Sequence, residues 1–130
     1  MVLHMKVIIN KVKKVIEYLF AKFPLMMDDR DIVQETKIWK EYNGIQNSFL
    51  SISKSIEHPN HPPQKKVVRA KMILSGIYLW GNMPSETSIY MINNADLKVT
   101  TGADIVNKAA KKAPKDFIEN LTKYCKKMNK

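Results

Sequence analysis

Apolar residues recur along this chain at steps of three and four, the spacing that places side chains on one face of a helix. From Lys6 to Phe23 the apolar positions are Met5, Ile8, Val12, Val15, Ile16, Leu19 and Phe23, with Lys6, Lys13 and Glu17 opposite. Pro24 would end this helix, because the residue before a proline is pushed out of the α region. Asp28, Asp29 and Asp31 then suit a helix N-terminus, where carboxylates meet free N–H groups and the positive end of the dipole. The longest helix is expected over about 29–57. Its seam of Ile38, Tyr42, Ile45, Phe49, Ile52 and Ile56 alternates steps of four and three, close to a heptad. Such a helix packs within its own chain or forms a homodimer contact.

His58-Pro59-Asn60-His61-Pro62-Pro63 is the clearest break, a turn that no helix crosses. A third helix is expected over about 64–81, burying Val67, Ala70, Ile73, Leu74, Ile77 and Trp80. Gly81-Asn82 would cap it. A short helix over about 85–93 and an extended Leu97-Lys98-Val99 follow. Thr101 and Asp104 form a capping box for a helix through Ala113. Pro114 opens a last helix that places Phe117, Ile118, Leu121, Tyr124, Cys125 and Met128 on one side. The predicted fold is all-α: a single helical domain over residues 1–130, a bundle of about six helices with one long central member.

Composition agrees with that expectation without adding to it. Four glycines in 130 residues argue against many tight β-turns, and a single cysteine excludes an internal disulfide framework. Lysines at 6, 11, 13 and 14 interrupt the opening apolar stretch, so it resembles neither a secretory signal nor a membrane span. The expected location is intracellular, with no membrane partner.

Charge changes the picture more. The chain carries a net +10, and 20 of its 22 basic residues are lysines. They gather at residues 1–23, 59–83 and 107–130, separated by two weakly acidic stretches. A field of one sign attracts polyanions. Lys65, Lys66 and Arg69 would stand in the opening turns of the third helix, where the macrodipole disfavours cations. Lys108, Lys111, Lys112 and Lys115 form a second block. Together these seven are the expected phosphate contacts of a small, non-enzymatic nucleic-acid-binding protein, with DNA ahead of RNA as partner. Ile89 to Lys112 loosely resembles a helix-turn-helix, so a regulator is the specific form of this expectation. The alternative is an adaptor or inhibitor that binds an acidic surface of a replication or transcription machine, using the near-heptad seam.

Catalytic and metal chemistry find little support. His58 and His61 lie in a proline-locked loop without a cysteine or carboxylate cluster, so no metal site is expected. Glu35-Thr36-Lys37 after the three aspartates suggests a nuclease, but capping explains those carboxylates more simply. No glycine-rich phosphate loop or hydrolase motif occurs, and no cofactor is expected. Trp39, Tyr42, Phe49, Trp80 and Cys125 are expected in the core, and Tyr18, Tyr78 and Tyr90 at a surface.

Overall fold

The computed structural model describes residues 2–9, 12–23, 26–83, 85–100 and 102–128. The chain forms two compact units, Met1–Lys98 and Val99–Lys130. The first is a seven-stranded sheet and the second holds one long helix. The strands are β1 (Val2–Ile9), β2 (Val12–Ala21), β3 (Asp29–Lys40), β4 (Ser48–Ser55), β5 (Val67–Arg69), β6 (Lys71–Met83) and β7 (Glu86–Asp96). The helix is α1, Ala103–Met128.

The all-α expectation is therefore wrong for most of the chain. The first expected helix is the antiparallel hairpin β1–β2. Pro24, its expected stop, lies outside the described residues. The long helix over 29–57 is instead β3, a 3-10 turn at Tyr42–Gly44, and β4. The third is β5 and β6, and the short fourth lies in β7. Several strands bury groups on both faces, which erases clean alternation and leaves near-continuous apolar runs. In β2, Val15 and Tyr18 are both buried yet point to opposite sides. Among the described residues α-helix occurs only in the C-terminal region, and there two expected helices are one, continuous through Pro114. Thr101 of the expected capping box lies outside the described residues.

Sheet order is β1-β2-β3-β4-β6-β7, antiparallel throughout this path. Strand β3 is its centre of burial, with Arg30, Asp31, Val33, Gln34 and Thr36 all enclosed. On one side it pairs with β4 over Gln34–Lys40, while Asp29–Asp31 pair in parallel with β5. Short β5 thus occupies edge that β4 leaves free, satisfying backbone groups that would otherwise be orphaned. Between β3 and β4 the chain turns through left-handed residues at Glu41, Asn43, Gly44 and Asn47. Mostly polar or glycine, they suit that region.

Arg30 ties the beginning of β3 to the end of β7. Its Nε donates to Leu97 O at 3.1 Å and its Nη2 to Lys98 O at 3.2 Å. Nη1 donates to Asp28 O, and the guanidinium lies 4.7 Å from the centre of the Phe23 ring. Only 6% of Arg30 is exposed, so its charge is held by carbonyls and a π face rather than by water.

Candidate functional site

Registers place four polar side chains on one face of the sheet. Thr36 pairs with Ser53, Ser53 with Ser75, and Glu17 with Gln34. Residues paired across strands share a face, as do residues two apart. Gln34, Thr36 and Ser53 are each more than nine-tenths buried. Gln34 Nε2 donates to Glu17 Oε2 at 2.7 Å, and Thr36 Oγ1 donates to the same oxygen at 2.7 Å. The Ser53 hydroxyl lies 2.8 Å from Thr36 Oγ1. Thr36 has one proton and gives it to the carboxylate, so Ser53 is the donor in that pair. This network leaves one gap: Gln34 Oε1 is buried and has no hydrogen-bond partner in the described structure. A buried acceptor left empty costs about 1–3 kcal/mol.

Farther along the same face the side chains become mainly apolar. The row beyond Thr36 is Lys13, Ile38, Ser51, Ile77 and Met91, and the next is Lys40, Phe49, Leu79 and Ile89. From Gln34 to Lys40 this gradient covers roughly 20 Å at the usual strand rise. The surface is thus polar at one end and mainly apolar at the other, where Lys13 and Lys40 interrupt it, on the scale of an extended amphiphile.

The opposite face carries different chemistry. At one end Asp31, only 1% exposed, accepts from Arg69 Nε at 2.7 Å and from Arg69 Nη2 at 3.0 Å. Hydrogen bonding to Asp31 raises the Arg69 pKa. Burial, then the neighbouring Asp31 charge, raise the Tyr18 phenol above its ordinary 10.0. His61 stacks on Tyr18 at 5.1 Å, closing the proline loop over this corner. At the other end Trp39, Tyr42, Tyr78, Trp80 and Tyr90 form a ring-to-ring chain with centroid spacings of 5.1–6.3 Å.

The residues expected to contact phosphate are distributed otherwise than predicted. Lys65 and Lys66 are exposed in the turn before β5, with Lys66 left-handed at φ 63°. No helix begins there, so the dipole argument for them lapses. Arg69 is held by Asp31. Lys108, Lys111, Lys112 and Lys115 are exposed on α1, in the other compact unit. Lys112 approaches Asp116 at 3.8 Å and Lys115 approaches Glu119 at 3.9 Å, exposed pairs of small worth. The expected helix-turn-helix over 89–112 does not exist, since Ile89–Asp96 is strand. The heptad seam dissolves too, and with it the basis for the adaptor reading and for dimerisation through a long second helix. Among the aromatics, Tyr18 is buried against expectation, Tyr90 is 68% exposed as expected, and Tyr42 is 42% exposed against expectation. Cys125 is exposed rather than core.

Sequence reasoning missed Glu17, Gln34, Thr36 and Ser53 as a group. The signal available was alternation: Ser51, Ser53 and Ser55 in β4, and Gln34 and Thr36 in β3, recur with period two.

Residues 5–130 match the family model described as START domain. Over 110 residues the chain is 24% identical to human START domain-containing protein 10, covering 85% of this chain and 36% of that protein. The crystal structure of human STARD10 superposes with a TM-score of 0.73 at 21% identity, covering 90% of this chain and 46% of that one. Human StAR-related lipid transfer protein 5 gives a TM-score of 0.79 at 19% identity, covering 99% and 61%. The chain spans about a third of the curated relative and about half of these solved chains. These matches overturn the expectation of a nucleic-acid-binding regulator with DNA as partner. No helix among the described residues is long and apolar enough to cross a membrane.

Proposed function

Because the chain belongs to the START domain family, we propose that it is a non-enzymatic lipid-binding module that receives an amphiphile on the Gln34 face of its sheet. One solved relative is named a lipid transfer protein. The observation that carries the reading is the gradient on that face. A buried polar network with an unfilled acceptor at Gln34 Oε1 leads into Ile38, Ile77, Leu79 and Met91. A lipid hydroxyl or amine would donate to Oε1, and the hydrocarbon would lie along the apolar rows. Each methylene removed from water there is worth about 0.8 kcal/mol, so the tail supplies affinity and the polar end supplies choice.

Transfer of a fluorescent lipid between vesicles tests this. Wild-type protein should accelerate transfer over the protein-free rate. Gln34→Leu and Thr36→Val should weaken uptake of hydroxyl- or amine-bearing lipids by about tenfold, the worth of one or two buried hydrogen bonds. Ile77→Lys, with circular dichroism unchanged, should abolish it. Transfer no faster than without protein would refute the reading.

A further inference from the structure

The end of β4 at Ser55, the loop His58–Pro63, the β5–β6 junction and Lys98 line a cleft of about 740 Å³. Its floor includes Val33 and Ala70, which are 1% and 2% exposed, and Pro59 and Pro62 form a rigid apolar wall. This volume lies within the range that holds small organic ligands.

The donors lining it are unusually free. Arg69 engages Asp31 side-on through Nε and Nη2, and Nη2 also donates to His61 O and Pro62 O. That leaves both Nη1 protons without a partner among the described residues. Lys71 and Lys98 line the cleft, and neither ammonium has an ion-pair partner among the described residues. Asp96 lies opposite Lys71 in strand register, but its Oδ1 accepts the Lys98 backbone N–H at 2.9 Å. His58 Nδ1 accepts the Asn60 N–H at 3.3 Å, so the neutral ring carries its proton on Nε2 as a further donor. Glu57 is the lone carboxylate among the described lining residues and it is exposed.

We propose that this cleft is a second binding site, for a phosphate group carried by a small ester or by a lipid headgroup. Arg69, Lys71, Lys98 and His58 all line one concave surface whose floor includes the buried Val33 and Ala70. A phosphate dianion accepts several charge-assisted bonds at once. The cleft adjoins the Gln34 face through Ser55, the register partner of Gln34, but the proposal does not rest on lipid uptake there.

Nuclear magnetic resonance titration of the full chain with inorganic phosphate tests it. Amides of residues 56–63, 69–71 and 98 should shift together and saturate. Lys71→Glu with Lys98→Glu should raise Kd by about tenfold or more. Lys65→Glu with Lys66→Glu makes the same change of net charge outside the cleft lining and should alter Kd by less than about twofold. Vesicles of phosphatidylcholine, with and without phosphatidic acid, separate the two sources. Capture only by the phosphatidic acid vesicles, competed by phosphate, assigns a headgroup; phosphate binding without capture assigns a free ester. Shifts spread evenly over the α1 lysines, equal losses in both double variants, or no response to either probe would overturn the proposal.

Discussion

Asp31 shows how one side chain can govern a corner of the structure. It is 1% exposed and faces Arg69 through two hydrogen bonds, with Tyr18 beside them. Asp31→Ala would leave a guanidinium that is only 20% exposed without its counter-charge. Breaking one partner of a buried pair costs about 3–5 kcal/mol, and the partial exposure of Arg69 puts the expected loss near the lower figure. A fall in the urea midpoint without a change of slope would measure it. The same variant removes the Asp31 charge and hydrogen bond that help raise the Tyr18 pKa, so the phenol should ionise at lower pH than in the native chain. Ultraviolet absorbance of the phenolate reads that second effect separately from stability.

At the level of elements, α1 was legible and the strands were not. Val106, Phe117, Leu121 and Met128 recur with helical period over a segment free of glycine, and both neighbouring helices were foreseen. Their fusion was not, because Pro114 reads as a start. Within α1 that proline removes the N–H that would meet the Ala110 carbonyl, which costs roughly 3 kcal/mol of helix stability. Pro114→Ala should therefore slow hydrogen exchange of the neighbouring α1 amides by about tenfold or more. The strands misled for a different reason. In β2 the run Val15, Ile16, Leu19 matches a helix stripe as well as a strand buried on both sides, and local spacing carries no information about the partner strand. The candidate site suffered most from this. Glu17 reads as the solvent side of a helix, yet it meets Gln34 and Thr36 only once β2 and β3 pair.

For the whole molecule, the consequence of a sheet in place of a bundle is kinetic. Arg69 and Asp31 meet across 38 positions of chain, and β4 reaches β6 only after the proline loop has closed. Non-local pairing of this kind carries loop-closure entropy before contacts repay it, and such proteins fold in milliseconds to seconds rather than microseconds. Both tryptophans, Trp39 and Trp80, lie on the sheet, so stopped-flow tryptophan fluorescence should report a phase on that slower scale. A microsecond phase carrying the full amplitude would contradict it.

The clasp formed by Arg30 also reaches past the end of the strand ladder. Its two acceptors, Leu97 O and Lys98 O, come after the last paired residue of β7, Asp96. A fragment trimmed to the end of that strand would retain every rung of the ladder and still lose its fastening. A cut after Lys98 would keep both acceptors of Arg30.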